Sequence, residues 1–163
     1  MGKVYVYIEA TVAPDGKDAK DAIKPDLKAK LEKAAIKAIC DGVPAKQFSA
    51  KDSDRPKTKG KPNAVKITAT IKVTATPAGG KTKVDVSAKL VFEAISWPKT
   101  TGGSLLGAAS QGAGVEEAGD AAKVIAARGG DLLDAILPDL VKSTMSSAKF
   151  RKQADGVGLT IDK

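Results

Sequence analysis

Two stretches near the middle of the chain alternate between apolar and polar residues. From Val65 to Thr76, valine, isoleucine and alanine occupy odd positions, and threonine and lysine occupy even ones. From Lys83 to Phe92 the apolar residues, apart from Val91, fall on even positions. A period of two places successive side chains on opposite faces of a strand. Because Pro77–Gly80 between them is rich in turn residues, the pattern predicts a β-hairpin with one apolar face and one threonine–lysine face.

The N-terminal part of the chain predicts a strand followed by a helix. Residues 3–13 alternate in the same way as the hairpin, and Pro14-Asp15-Gly16 supplies the turn chemistry that ends the strand. From Lys24 to Asp41 the apolar residues recur at helical spacing. Pro25 suits the first turn of this helix, and Gly42 suits its end.

The segment after the hairpin has two possible interpretations. Trp97-Pro98 closes the third strand, and residues 99–103 are predicted to form a loop. Residues 104–115 consist mostly of glycine, alanine, serine and leucine. This glycine content argues against a stable helix. We therefore predict a fourth strand of small residues, with a glycine-rich interaction loop as the alternative.

The C-terminal third has a helical pattern. It predicts one helix over residues 119–128, a break at Gly129-Gly130, and a second helix with Asp131 as its N-cap. Pro138 lies inside the second pattern, so a kink or a restart is expected there. The helix is predicted to fray near residues 150–153, and residues 156–161 are expected to form a short strand or a docked tail.

The order of these elements predicts an α+β fold. It is a two-layer sandwich in which a mostly antiparallel sheet of 3–4 strands has helices packed on one face, in the order β-α-β-β-(β)-α-α. The helices are expected to cover the apolar face and to leave the threonine–lysine face free. Residues 1–163 are predicted to form a single α+β domain, with a basic loop at about residues 50–62.

The charge of the chain is positive and unevenly distributed. The formal net charge is +8, with +9 in residues 1–99 and −1 in residues 100–163. Such a basic half suggests an anionic partner or a lysine-rich soluble surface. Arginine occurs only at Arg55, Arg128 and Arg151. Since arginine is the better residue for bidentate recognition of phosphate, the excess of lysine favours the soluble surface.

The candidate chemistry of the chain predicts a non-enzymatic protein. There is no histidine, so neither Cys40, the single cysteine, nor any serine has a histidine base. Residues 79–82 resemble the end of a phosphate-binding loop, but the upstream glycine is missing and a strand follows where a helix is needed. The carboxylate pairs occur at helix starts and in turns. We predict no catalytic residue, no cofactor and no metal site.

The threonine–lysine face offers one alternative function. Aromatic and lysine side chains on an open sheet are able to stack bases and to hold phosphates. The chain would then be a module that binds nucleic acid or another polyanion. The candidate contact residues for a polyanion or another partner are Tyr5, Tyr7, Lys66, Lys72, Lys83, Lys89, Arg55, Lys57, Lys59 and Lys61.

The leading prediction is a binding or structural protein that assembles with itself. The first strand, or the strand at residues 104–115, would leave an unpaired edge for pairing between subunits. No run of about 18 apolar residues occurs, so no membrane span is expected. Lys3 to Thr11 alternates instead of forming a continuous apolar block, so no export signal is expected, which favours the cytoplasm at face value. Met1-Gly2 is also compatible with an engineered start of an exported mature protein.

Overall fold

The alternating segments of the sequence form strands in the computed structural model, which describes residues 4–56 and 62–159. In chain order the elements are β1 (Val4–Asp15), α1 (Lys17–Ala22), α2 (Pro25–Gly42), β2 (Phe48–Ser49), β3 (Ala64–Ala78), β4 (Lys81–Ser96), β5 (Lys99–Ala118), α3 (Ala121–Met145) and α4 (Ala148–Gly156). A short 3-10 turn, Asp52–Asp54, lies between β2 and β3.

The strands form one mixed sheet in the order β2-β1-β3-β4-β5. The pairs β3–β4 and β4–β5 are antiparallel, whereas β1 runs parallel to both β2 and β3. The α+β fold is confirmed, but the prediction of 3–4 strands was too low, since the sheet has five and is strongly curled. The parallel pairing arises because α1 and α2 return the chain to the end of the sheet at which β1 began.

The helices cover the apolar face of the sheet, as the alternation predicted. The odd residues of β3 from Val65 to Val73 and the even residues of β4 from Val84 to Phe92 are at most 2% exposed. Helix α3 packs on these residues, and α2 packs on β1 and on α3. Three aromatic rings, those of Phe48, Phe92 and Phe150, meet edge to face at the end near α4. Burial of this apolar surface is the main favourable term in folding.

The hairpin turn has the geometry that its residues favour. Gly79 and Gly80 both have positive φ angles, of 55° and 83°, and Ala78 pairs with Lys81. A two-residue turn with positive φ at both positions matches the twist of the flanking strands. The predicted hairpin is therefore confirmed, with β3 and β4 longer at both ends than the alternation indicated.

The predicted strand of small residues is confirmed as part of β5. This strand pairs with the whole length of β4 and forms an outer edge of the sheet. The predicted loop at residues 99–103 was wrong, because the strand begins at Lys99 and the connection from β4 is only Trp97-Pro98, joined by a cis peptide bond. Pairing with β4 overrides the low strand propensity of glycine in this segment.

The C-terminal helices differ from the prediction. Helix α3 continues through Gly129, Gly130 and Pro138, so the predicted break was wrong and Asp131 is not an N-cap. The N-cap is Asp120, whose carboxylate accepts a hydrogen bond from the backbone N–H of Lys123 at 2.9 Å. Packing explains the continuity, since Gly129 lies against Leu31 of α2, which would have to shift to admit a Cβ at this position.

Residues 147–159 form a capped helix and a docked tail. Ser147 caps α4 by accepting a hydrogen bond from the backbone N–H of Phe150, which is only 1% exposed. The predicted fraying near residues 150–153 was therefore wrong, because burial of Phe150 holds this turn in place. Leu159 is 2% exposed and docks on the core, and residues 160–163 lie outside the described part. Across residues 4–56 and 62–159, no helix combines the length and the apolar character needed to cross a membrane.

Candidate binding surfaces

The face of the sheet opposite the helices presents the polar positions of the long strands to solvent. We call it the open face. Its polar and charged members are Tyr7, Glu9, Thr11, Asp15, Lys66, Thr68, Thr70, Lys72, Thr74, Thr76, Lys81, Lys83, Asp85, Ser87, Lys89, Glu93, Ser110 and Glu116. These side chains are exposed or half-buried, whereas the apolar residues on the opposite face of β3 and β4 are mostly buried. The expected arrangement, in which the helices shield one side only, is confirmed.

The charges of the open face are balanced. The lysines at positions 66, 72, 81, 83 and 89 are matched in number by Glu9, Asp15, Asp85, Glu93 and Glu116. Lys66 lies 3.5 Å from Glu9 and also donates a hydrogen bond to the carbonyl oxygen of Thr100 at 2.8 Å. Lys72 lies 3.7 Å from Asp15. Because opposite charges are interspersed, this face creates little net field to attract a polyanion.

The predicted aromatic residues meet at one end of the open face. Tyr5 is only 3% exposed and packs on Ala64 and Ile95, so its ring has no free face for stacking. Tyr7 is half-buried, and its hydroxyl donates a hydrogen bond to Glu9 Oε1 at 2.9 Å. This hydrogen bond, together with burial and the charge of Glu9, raises the pKa of Tyr7 above its ordinary value of 10.0.

Sequence reasoning did not identify Trp97 as a member of this cluster. Its ring centroid lies 5.4 Å from that of Tyr5 and 5.3 Å from that of Tyr7. The guanidinium carbon of Arg55 stands 5.3 Å from the Trp97 centroid, in the geometry of a cation–π contact. A hydrogen bond from Arg55 to Asp52, followed by one to Tyr5, raises the pKa of the guanidinium. A lone tryptophan in a turn was the only signal available in the sequence.

The remaining candidate residues are not gathered at one place. Lys72, Lys83 and Lys89 are exposed along the middle and the far end of the open face, away from Tyr5 and Tyr7. Lys57, Lys59 and Lys61 lie outside the described residues. The structure therefore brings together Tyr5, Tyr7, Lys66 and Arg55, but it does not join them to the lysines farther along the sheet.

Glycine residues of β5 leave two shallow recesses, one on each side of the sheet. The Gly112 recess, on the open face, has a volume of about 310 Å³ and is lined by Gly112, Gly114, Lys72, Thr74, Asp85 and Ser87. The Gly107 recess, on the helix side, has a volume of about 230 Å³ and is lined by Leu106, Gly107, Ser143, Thr144, Ser147 and Lys149. Both exist because glycine contributes no Cβ to the surface of the strand.

The outer edge of β5 lacks the charged residues and prolines that commonly protect an edge strand. From Thr100 to Val115 it contains no charged residue and no proline. The edge of β1 beyond its short pairing with β2 is different, because Glu32 accepts a hydrogen bond from the Val12 backbone N–H and Pro14 has no N–H at all. Natural edge strands usually carry lysine, proline or a covering group to prevent pairing with other chains. Over residues 100–115 the β5 edge therefore lacks the lysine and proline that commonly block strand addition.

Cys40 lies at the rim of a cavity beside β2. The cavity has a volume of about 300 Å³ and is also lined by Val43, Phe48, Ser49, Lys51 and Asp54. Burial, with a smaller effect of the Asp41 charge, raises the pKa of the Cys40 thiol above its ordinary value of 9.0. The thiol is therefore protonated at neutral pH and is a poor nucleophile. The Ser49 hydroxyl donates a hydrogen bond to Asp54, but this pair includes no basic nitrogen.

A wider recess than these lies at the other end of the molecule, between α1, the β3–β4 turn and the start of α3. Its volume is about 510 Å³, and its charged lining residues are Asp18, Asp21, Lys81 and Asp120. The Asp120 carboxylate is already engaged in capping α3. Among residues 4–56 and 62–159, no three histidine, cysteine or acidic side chains converge in a way that could hold a metal ion.

Comparison with known proteins relates the chain to others by its fold. No protein-family model matches the sequence, and a comparison with curated proteins found no match either. A Helicobacter pylori protein described as a neuraminyllactose-binding hemagglutinin homologue superimposes with a TM-score of 0.59 at 13% identity, over 96% of this chain and 89% of that one. A DUF330 protein from Xanthomonas campestris superimposes with a TM-score of 0.55 at 7% identity, over 95% and 89%. At these identities the likeness is one of fold alone.

Proposed function

We propose that this protein is a non-enzymatic binding and assembly protein that associates with further copies of itself. The observation that carries the proposal is the outer edge of β5, where residues 100–115 offer a long row of backbone groups without a charge or a proline to block them. An exposed edge of this kind pairs readily with another strand. In a homo-oligomer, that strand belongs to a second copy of the chain.

The chemistry of the described residues supports binding over catalysis. The thiol of Cys40 is held in its protonated form, and the Ser49–Asp54 pair has no general base beside it. A nucleophile needs an adjacent base or a lowered pKa to act at neutral pH. The two proteins that share the fold are described as a hemagglutinin homologue and as a DUF330 protein, and neither description names an enzyme.

The proposal predicts a mass well above the 16.7 kDa of one chain. Multi-angle light scattering after size exclusion, over a range of protein concentrations at moderate salt, measures this mass directly. Ser110→Pro is the informative variant, because its ring removes an N–H from the β5 edge. Ser110→Thr is the matched control, since it changes the side chain but retains the N–H.

We expect the wild-type protein and Ser110→Thr to be oligomeric, and Ser110→Pro to be monomeric with an unchanged far-ultraviolet circular dichroism spectrum. A wild-type protein that stays at 16.7 kDa at the highest concentration reached would contradict the proposal.

The second candidate function is binding of nucleic acid or another polyanion. It is favoured by one arrangement, in which Arg55 stands over Trp97 at the start of the basic run Arg55–Lys61. Arginine and an aromatic ring together provide stacking and charge for a single-stranded nucleic acid. The balanced charges of the open face do not add to this function. Retention of single-stranded nucleic acid that weakens with added salt and with Arg55→Gln would support it.

A further inference from the structure

Two side chains project from β5, one on each side of the sheet. Leu105 is 61% exposed, which makes it the one large hydrophobic residue exposed among the described residues. It shares the open face with Glu93, its partner on β4. Gln111 is exposed on the helix side, where it pairs with Ala88. Leu105 therefore shares the open face with the Gly112 recess, and Gln111 shares the helix side with the Gly107 recess. In each case the recess lies several residues away along β5.

The backbone groups that point outward from β5 follow from the registers of the sheet. The N–H groups of Val4 and Val12 point away from β3, toward Gln47 and Glu32. Successive residues of a strand direct their N–H and C=O groups to opposite edges. The pairings of β1 with β3, of β3 with β4 and of β4 with β5 extend this alternation across the sheet. On β5, the odd residues direct their backbone groups toward β4. The even residues from Ala108 to Gly114 therefore direct their N–H and C=O groups outward.

We propose that two copies of the chain pair their β5 edges antiparallel about a two-fold axis at Ala109. This proposal rests on the self-association argued above and specifies its interface. In this register, Ala108 of one copy and Ser110 of the other form a hydrogen-bonded pair, because both direct their backbone groups outward. The two sheets then join into one continuous sheet, and the contact is isologous, with the same residues used on both copies.

The proposed register brings each projection opposite a recess. Gln111 of one copy lies opposite Gly107 of the other, so its amide enters the Gly107 recess beside the hydroxyl groups of Ser143, Thr144 and Ser147. Leu106 is the bulged residue between the pairs Phe92–Gly107 and Glu93–Leu105. If Leu106 is likewise left without a partner in the pairing between the two copies, Leu105 lies opposite Gly112 of the second copy.

The Gly112 recess then receives an apolar side chain that one copy alone leaves in water. Burial of a leucine side chain is favourable, and the two-fold axis buries Leu105 of both copies. Pairing of identical segments would be unfavourable if like charges came together. Residues 100–115 contain no charge, so this cost is absent. The fit of Leu105 and Gln111 to the two recesses and the absence of charge repulsion together favour a second copy of the chain as the partner at this edge.

The first test is disulfide cross-linking in a Cys40→Ala background. Ala109→Cys places two thiols across the axis at a pair that is not hydrogen-bonded, where the Cα atoms lie about 4.5 Å apart, within the range of a disulfide. Ala113→Cys is the matched control on the same face of the same strand. Its two copies would be more than about 20 Å apart in this register. We expect mild oxidation to give a reducible dimer with Ala109→Cys and none with Ala113→Cys.

The second test fills a recess without disturbing the single chain. The nearest atom to a Cβ at Gly107 is Cγ2 of Thr144 at 3.8 Å, an ordinary contact, so Gly107→Val is expected to fold. Its side chain occupies the space required by Gln111 of the second copy. We expect the dissociation constant of the dimer, measured by sedimentation equilibrium, to rise about tenfold or more with Gly107→Val and with Leu105→Ser.

The outcomes separate this interface from the proposed function. If the wild-type protein is oligomeric but Ala109→Cys fails to cross-link and Gly107→Val leaves the dissociation constant unchanged, the two-fold pairing is overturned and self-association stands. If the wild-type protein is a monomer at every concentration, both are overturned. Cross-linking of Ala113→Cys in preference to Ala109→Cys would overturn the register.

Discussion

Gly129 and Gly130 are neighbours in α3 whose surroundings are opposite. A Cβ at Gly129 would lie 2.8 Å from Cδ2 of Leu31, whereas a Cβ at Gly130 would have no atom within 4 Å. The first glycine therefore allows α2 and α3 to approach closely, and the second has no such role. A similar approach occurs where the backbone of Pro138 packs on Gly42, with the Cα of Pro138 2.7 Å from the position of a Cβ. At the residue scale, the room available for a Cβ differs between glycines that have the same local sequence preference.

Alanine substitutions at these two positions should change stability in opposite directions. Gly130→Ala should raise the free energy of unfolding by about 0.5–1 kcal/mol, because alanine is the better helix former. Gly129→Ala should lower it by about 1–2 kcal/mol, because Leu31 must move within a packed core. Urea denaturation followed by circular dichroism measures both values. Equal effects of the two variants would show that the approach of Leu31 to Gly129 is not a constraint.

Alkylation of Cys40 should be slow and should depend on pH in a defined way. Burial, with the charge of Asp41, raises the pKa of the thiol, so the folded state holds its proton to higher pH than the unfolded state. The reaction rate with iodoacetamide follows the thiolate fraction. The rate profile of the folded protein should therefore rise at higher pH than that of the protein in urea. The free energy of unfolding of the protein should fall as the pH increases above the ordinary thiol pKa of about 9, because the unfolded state releases the thiol proton first. Coincident rate profiles for folded and unfolded protein would contradict this.

At the scale of elements, α3 shows how packing overrides local signals. Two adjacent glycines and a proline each disfavour a helix interior, by about 1 and 3 kcal/mol respectively. The helix nevertheless runs from Ala121 to Met145, because its buried residues, among them Leu133, Leu137 and Val141, cover the sheet. Most of the stability of a helix in a protein comes from such packing. A single helix has its N-cap at Asp120, whereas a second helix would have its own N-cap at Asp131.

Replacing Asp120 and Asp131 one at a time should distinguish these possibilities. Asp120→Ala should lower the free energy of unfolding by about 1 kcal/mol, since it removes the side chain that accepts a hydrogen bond from the Lys123 N–H. Asp131→Ala should change it by less than about 0.5 kcal/mol, because Asp131 is exposed inside the helix and forms an ion pair with Arg128 at 3.3 Å. Thermal denaturation of both variants is the measurement. A larger loss at Asp131 would indicate a second helix that begins there.

At the scale of the whole molecule, the location of charge matters more than its total. The net charge is +8, yet the open face carries equal numbers of lysines and carboxylates. The excess is concentrated elsewhere, most densely in residues 55–61, where four basic residues occur without an acidic one. A field that attracts polyanions comes from unbalanced charge. Lysines paired with carboxylates across a sheet contribute little to it.

Two sets of lysine-to-glutamine substitutions, equal in charge, should therefore behave differently on a heparin column. One set is on the open face, and the other is in the basic segment: Lys72, Lys83 and Lys89 in the first, Lys57, Lys59 and Lys61 in the second. The salt concentration needed for elution should fall clearly with the second set and little with the first, because only the second reduces an unbalanced charge. Equal shifts would mean that total charge governs retention.

The sequence by itself determined the long strands β1, β3 and β4, their two faces and α2. The reason is that side-chain direction repeats every two residues in a strand and about every 3.6 in a helix, so a local pattern is sufficient to assign a face. The exposed sites of this face, Lys72, Lys83 and Lys89, could therefore be placed before the structure was known. The burial of Tyr5 could not be predicted in this way, because it depends on packing against Ile95 and Trp97, which are far from Tyr5 in the chain.

The tertiary structure alone decided the parallel pairing of β1 with β3, the continuity of α3, the position of β5 at the edge and the aromatic cluster around Trp97. Each depends on contacts between residues distant in sequence. No short window of residues contains the free energy of those contacts, and at Gly129 they oppose what the local sequence favours. The pairing partners and the free edge follow only once the sheet has formed.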